Sequence, residues 1–210
     1  MLSFWLLFCF FSLFSIIIIV PPIISLAIRK NLFDIPNKIK IHKKPIPRIG
    51  GVSIFISFLF AQILLFFFPQ KDLFLSTTNS NLLNIYISSA LFFFLGLYDD
   101  LYKINALKRL FLQFLISSFT WSQGIAITSL NFPLLIPNNY SFVLPNFLSF
   151  IITIIFITGI VNAINWSDGL DGLASGILFF SSIALTFISF KNGQIAIAIL
   201  LLLMALNCLG

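Results

Sequence analysis

The chain has 210 residues, of which 60% are hydrophobic and 9% are charged, with a formal net charge of +6. An ordinary soluble domain carries about 25% charged residues, so that class is excluded. The basic excess does not describe a nucleic-acid face either, because the basic residues lie in short segments between long apolar runs.

Apolar runs of about 18 or more residues, the length that crosses a bilayer core, recur throughout. They predict spans at 4–28, 52–68, 82–98, 109–127, 147–163, 173–190 and 194–210. Each must be helical, since an open strand would leave backbone groups unpaired in lipid. The expectation is an all-α, polytopic integral membrane helix bundle of about seven transmembrane helices, forming a single membrane domain over 1–210. The first run lacks a basic leader, is too long for a signal core, and has no small-residue cleavage site after Pro21-Pro22. A retained first helix is expected. Cys9 and Cys208 lie inside apolar runs without ligand spacing and read as packing residues.

Between the first two spans come Asp34-Ile-Pro-Asn37 and then His42-Lys-Lys-Pro45-Ile-Pro47-Arg48-Ile-Gly50-Gly51. Prolines restrict φ and glycines allow close backbone approach, which suits an ordered loop leading into the second helix. Its basic side chains can meet phosphates as point charges or bidentate clamps. The same residues also suit a positively charged anchor with a solvated His42. Residues 69–81 read as an ordinary loop on the opposite side.

The third span ends in Gly96-Leu-Tyr-Asp99-Asp100, followed by Lys103, Lys108, Arg109 and Gln113. Adjacent carboxylates on a helix point in different directions, so one can face a metal or substrate while the other orients it. Surface charge at a span boundary is the bland alternative. Residues 128–146, with Pro133, Pro137 and Pro145 around Asn138-Asn139, predict a turn or short hairpin.

After the fifth span comes Asn162-Ala-Ile-Asn165-Trp-Ser-Asp168-Gly-Leu-Asp171-Gly-Leu-Ala-Ser-Gly176. Asn162 and Asn165 are three apart and can share a helix face. The two Asp-Gly steps can end that helix. Together they offer oxygens to a hard cation, or hydrogen-bonding groups to a sugar or uracil ring. Two amides and two Asp-Gly steps exceed what a cap and turn require. Lys191-Asn192-Gly193 then predicts a tight turn before the last span.

Ten of the twelve basic residues fall in the first and third connections, leaving only Lys71 and Lys191 for the other side. That split predicts a cytoplasmic location for the odd-numbered loops and an external N-terminus. All six acids except Asp72 then lie on the cytoplasmic side. Because none is mid-span, a transporter or channel reading is disfavoured. There is no Cys/His metal cluster, no Gly-Xaa-Ser-Xaa-Gly elbow and no Gly-Lys-Ser/Thr phosphate loop.

The three polar segments, in this order, resemble the polyprenyl-phosphate N-acetylhexosamine-1-phosphate transferases of glycosyl transferase family 4. That family includes the undecaprenyl-phosphate GlcNAc-1-phosphate transferases and the phospho-MurNAc-pentapeptide translocases. The matching pieces are Asp34–Asn37 with His42–Gly51, Gly96–Asp100 through Gln113, and Asn162–Gly176. Pro45-Ile-Pro47-Arg48-Ile-Gly50-Gly51 is similar to the Pro-Thr-Pro-Arg-Xaa-Gly-Gly motif of the GlcNAc-1-phosphate branch. The short interval from Asp99 to Gln113 lacks the Lys-rich insertion of the translocases.

The resemblance implies transfer of a sugar-1-phosphate from a UDP-N-acetylhexosamine to undecaprenyl phosphate, releasing UMP, at the cytoplasmic face of a bacterial inner membrane. Cell-wall or lipopolysaccharide synthesis is the implied setting. It implies Mg2+, or Mn2+ in its place, as cofactor. Asp99 and Asp100 are the implied catalytic pair, with Asp100 and Asn165 as metal ligands. Asn162, Asp168, Asp171, Arg109, His42 and Arg48 are the implied substrate-binding residues. The implied partners are the nucleotide sugar, the polyprenyl phosphate and membrane lipid, with no nucleic acid.

Arg109 departs from the family by standing where a phosphate-contacting Lys is found. In the family the seventh span leads into a Phe-Met-Gly-Asp-Xaa-Gly-Ser segment, whose Asp binds magnesium, whereas this chain stops at Asn207-Cys-Leu-Gly210. The chain therefore reads as the N-terminal two-thirds of a family-like transferase. An inactive remnant, half of a split enzyme completed by another chain, and a homodimer all stay open.

Overall fold

The computed structural model describes residues 2–34, 46–47, 49–66, 79–131, 141–168 and 172–209. Among them are seven α-helices: α1 (Leu2–Arg29), α2 (Gly50–Phe66), α3 (Asn79–Tyr102), α4 (Ala106–Ser122), α5 (Asn146–Ser167), α6 (Leu173–Lys191) and α7 (Ile195–Asn207). Each overlaps one apolar run of the sequence, so the fold is the expected all-α membrane helix bundle.

Cys9–Arg29, Asn146–Ser167 and Leu173–Lys191 are each long and apolar enough to cross a bilayer, while Gly50–Ile63 and Ile195–Asn207 are shorter apolar helices. The other two predicted spans also form helices, of 24 and 17 residues. Their polar ends set them apart: α3 continues through Asp99 and Asp100, and α4 begins with Lys108 and Arg109 in its first turn. Helical hydrogen bonds run along the backbone and do not stop where hydropathy falls. Likewise α1 runs through Pro21 and Pro22, as spanning helices tolerate.

The chain divides into two compact units. The first comprises Met1–Thr77 and Trp166–Gly210. In it α6 packs on α7, α1 on α2, and α7 on both α1 and α2. Small side chains let these backbones approach, with Ala27, Ala61, Ala196 and Ala205 all buried. At the junction of α1, α2 and α7 the Asn207 side chain is 0% exposed. Its Oδ1 accepts from Ser57 Oγ at 2.6 Å, and its Nδ2 donates to Leu203 O at 2.9 Å and to Ser12 Oγ at 3.4 Å. One amide thus ties three helices together where lipid offers no alternative partner.

Two short elements close loops in this unit. β1 (Phe33–Asp34) pairs antiparallel with β2 (Ile46–Pro47), in register Phe33↔Pro47 and Asp34↔Ile46, just before α2 begins. The predicted turn at Lys191-Asn192-Gly193 is present. Asn192 N–H donates to Ile188 O and Gly193 N–H to Phe190 O, and Gly193 takes φ 73°, where a side chain would be strained.

The second unit comprises Thr78–Asn165. α3 and α4 form an antiparallel hairpin, joined at one end by Asp99–Arg109 and at the other by Asn84 Nδ2 donating to Gln123 O at 2.8 Å. The predicted hairpin after α4 is also observed. β3 (Ser129–Asn131) pairs with β4 (Ser141–Val143), with Leu130 opposite Phe142. It docks on α5 through Ile127 N–H, which donates to Thr153 Oγ1 at 2.9 Å.

Polarity here is inside-out relative to a soluble bundle. Gln113, Ser117 and Thr120 recur at helical spacing as the buried residues of α4. Ser149, Thr153 and Thr158 are buried on α5, while Phe111, Leu115, Phe147 and Phe156 are exposed. A lipid-facing surface accepts phenylalanine and leucine, so hydrogen-bonding side chains collect between the helices.

Replacing Asn207 with Leu is expected to lower stability by about 0.5–1.5 kcal/mol in reversible unfolding from mixed micelles. The loss is modest because the Ser57 hydroxyl can fall back on Ile54 O, 3.1 Å away. Gly193→Ala is expected to cost about 1–2 kcal/mol in the same measurement, from strain at positive φ.

Candidate functional site

A short connection creates the central geometry of the second unit. α3 ends when Lys103 adopts φ 49°, a left-handed conformation that turns the chain, with its N–H donating to Asp99 O at 2.7 Å. Two residues later Asn105 caps α4, its side-chain oxygen accepting from Leu107 N–H at 3.2 Å. Only Lys103-Ile104-Asn105 separates the two helices, so the last turn of α3 lies beside the first turn of α4.

That proximity pairs Asp99 with Arg109: Arg109 Nη1 donates to Asp99 Oδ2 at 2.7 Å, with the Arg109 side chain 22% exposed and that of Asp99 17%. Residual solvent weakens such a pair, so it adds little to stability. Its chemical content matters more. Asp99 keeps its second oxygen outside this contact. Arg109 has one N–H in it and offers further donors in a rigid fork suited to phosphate oxygens. Asp100 is exposed on the next residue of α3, and Lys103 and Lys108 are exposed close by in the chain.

One turn along α4 from Arg109 stands Gln113, 3% exposed. It meets Asn162 on α5 in a reciprocal amide pair: Asn162 Nδ2 donates to Gln113 Oε1 at 2.7 Å, and Gln113 Nε2 to Asn162 Oδ1 at 3.5 Å. Asn162 Nδ2 also donates to Thr158 O at 2.8 Å. The Thr158 carbonyl can only accept, so the atom facing it must be the amide nitrogen, and the orientation of the pair follows. Both hydrogens of Asn162 are thereby used within the protein, leaving Oδ1 as its outward-capable group. Asn165 follows three residues later on α5 and is exposed.

Six of the residues singled out in the sequence thus sit in this one unit: Asp99, Asp100, Arg109, Gln113, Asn162 and Asn165. Asp168 is exposed in the turn after α5. His42, Arg48 and Asp171 lie outside the described residues. In the sequence the signal for Gln113 is its position four residues after Arg109, on the same helix face. The cap at Asn105 and the left-handed Lys103 are contributed by the structure.

Among the described residues no three His, Cys, Asp or Glu side chains gather closely enough to hold a metal by themselves. Magnesium is commonly held by one or two carboxylates together with substrate phosphates, and the carboxylates of this unit are Asp99 and Asp100 at the end of α3.

A double-mutant cycle of Asp99→Asn and Arg109→Gln, read by unfolding free energy, is expected to give a coupling of about 0.5–1 kcal/mol. The coupling should shrink as salt is raised, as for other partly exposed pairs.

The chain is 29% identical over 199 residues to the probable undecaprenyl-phosphate N-acetylglucosaminyl 1-phosphate transferase of Bacillus subtilis (strain 168), covering 95% of this chain and 52% of that protein. It is 28% identical to the undecaprenyl-phosphate alpha-N-acetylglucosaminyl 1-phosphate transferase of Yersinia pestis, covering 83% and 44%. It is 32% identical to the phospho-N-acetylmuramoyl-pentapeptide-transferase of Petrotoga mobilis (strain DSM 10674 / SJ95), covering 74% and 48%. The chain therefore spans about half the length of these curated relatives. No solved structure matches it. The family model for glycosyl transferase family 4 matches residues 82–210, which include the whole Asp99–Arg109 and Gln113–Asn162 arrangement, and the chain belongs to that family.

Proposed function

We propose that this chain carries the transfer of GlcNAc-1-phosphate from UDP-GlcNAc to undecaprenyl phosphate, at the cytoplasmic face of a bacterial inner membrane. In that reaction a lipid-phosphate oxygen forms a bond to the β-phosphorus. The bond from that phosphorus to the bridging oxygen breaks, and UMP leaves with the electron pair. The product is a lipid-diphosphate sugar for envelope polysaccharide synthesis.

The observation that carries this reading is the Asp99–Arg109 pair at 2.7 Å, within the segment matched by the family model. An acid that can hold or deprotonate a phosphate stands beside a cation that can neutralise one. Phosphoryl transfer asks mainly for positioning and charge neutralisation. In this reading Asp99 receives the lipid phosphate, as base or as ligand to its counter-ion. Arg109 exchanges part of its contact with Asp99 for diphosphate oxygens. Asp100 and Asn165 would hold a magnesium ion, which when bound supplies positive charge against the diphosphate. Asn162, through Oδ1, would meet the nucleotide sugar together with Asp168 and Asp171. His42 and Arg48 would supply further positive charge for phosphates.

The Petrotoga relative, a phospho-N-acetylmuramoyl-pentapeptide-transferase by name and 32% identical, supports a second donor, UDP-MurNAc-pentapeptide. The Pro45–Gly51 motif favours GlcNAc.

The test reconstitutes the full chain in bilayers with undecaprenyl phosphate, Mg2+ and either nucleotide sugar, and measures UMP release. UMP is expected from UDP-GlcNAc, is expected to vanish with a chelator, and is expected to fall by about a hundredfold or more in Asp99→Asn. Absence of UMP from both donors would overturn the transferase reading. Release from the pentapeptide donor alone would overturn the GlcNAc assignment.

A further inference from the structure

We infer that Gln113 is a positioning residue for this site: by gripping Asn162 it fixes the last turns of α5, which carry Asn165, relative to the Asp99–Arg109 pair. The inference rests on the sugar-phosphate transfer reading and deepens it by one residue that touches neither substrate nor metal.

The geometry carries this in three steps. First, Arg109 and Gln113 are four residues apart on α4, so one rigid helix face bears both contacts. Arg109 reaches back to α3 at 2.7 Å, and Gln113 reaches across to α5 at 2.7 Å. Second, Gln113 is buried and its amide answers the Asn162 amide in both directions, at 2.7 and 3.5 Å. A leucine of similar size would leave the Asn162 amide without that partner in a region with little water to replace it. Third, Asn162 is locked from its other side by Thr158 O at 2.8 Å, so the grip on its side chain is a grip on the α5 backbone. Asn165 follows within one turn of that clamp and is exposed.

A second contact of the same two helices separates positioning from mere adhesion. Trp121 Nε1 donates to Ser149 Oγ at 3.1 Å, and the Trp121 ring stands edge-on to Phe150 at 5.2 Å. This contact joins α4 to α5 far along both helices from Arg109. It serves packing without bearing on where Asn165 sits.

The full chain in nanodiscs, with UDP-GlcNAc and Mg2+ as probes, tests the inference by calorimetric affinity and melting temperature. Gln113→Leu is expected to weaken nucleotide-sugar binding by about tenfold to a hundredfold, because small misplacements of binding groups have effects of that size. It should also raise the Mg2+ concentration needed for half-maximal binding. Trp121→Phe is expected to lower the melting temperature while keeping affinity within about twofold of the parent chain, as for a distant independent site. Unchanged affinity in Gln113→Leu, or equal losses in the two variants, would overturn the positioning role. Should Gln113→Leu fail to fold, Gln113→Met keeps the length of the side chain without the amide and is read in the same way. A parent chain that binds no UDP-GlcNAc would overturn the transfer reading and this inference with it. A parent chain that binds, paired with an unaffected Gln113→Leu, would sink the inference alone.

Discussion

Lipid provides no hydrogen-bond partners, and the molecule's internal arrangement follows from that constraint. A polar side chain on a spanning helix can bond back to its own backbone, as Thr120 does to Ile116 O and Thr158 to Ile154 O, or reach across to another helix and tie the two together. Asn207 does the latter by joining α1, α2 and α7 through Ser12 and Ser57. Gln113 and Asn162 do it between α4 and α5. The exposed surface is left to phenylalanine, leucine and isoleucine. Helix contacts are therefore specified both by small side chains that let backbones approach, as at Ala27, Ala61, Ala196 and Ala205, and by where amides fall along each helix. Apolar side chains gain nothing by leaving lipid for a protein interior of similar polarity.

This economy has a chemical consequence. The buried polar face of α4 reaches α5 through Gln113, and it continues at its N-terminal end into Arg109. Structure and candidate chemistry thus share one helix face. The three-residue connection from α3, with Lys103 in a left-handed conformation and Asn105 as cap, holds the acid and the cation together. A longer linker would let both side chains dissolve into solvent as ordinary surface charges. The short one keeps them as a preorganised pair of opposite sign, the kind of arrangement that phosphate chemistry uses.

Membership of glycosyl transferase family 4 gives these residues a chemical context. The similarity runs to relatives with different amino-sugar donors in their names, at comparable identity. This is physically reasonable. A phospho group is common to both names, and only the sugar part differs.

Much of this was legible in the sequence, for local reasons. Apolar runs of spanning length specify helices because no other element satisfies its own backbone in lipid. All seven runs appear as helices, and the hairpin after α4 and the turn at Lys191–Gly193 also lie where Pro, Asn and Gly predicted them. Helix ends were less legible. α5 runs through Asn162 and Asn165 and stops at Ser167, just before the Asp168-Gly step that the sequence marks as its end. α3 instead carries on through Asp99 and Asp100 past the expected span end at 98, because a helix ends at a cap or turn and not at the edge of an apolar run. The candidate chemistry at Asp99, Arg109 and Asn162 was visible as residue types at suggestive spacing. That Asp99 faces Arg109, that Gln113 grips Asn162 across 49 positions, and that Asn207 meets Ser57 across 150, only the tertiary structure decided. A linear sequence records which groups need partners. Which partner each one finds depends on helix rotation and packing, set by all the contacts along the helices at once.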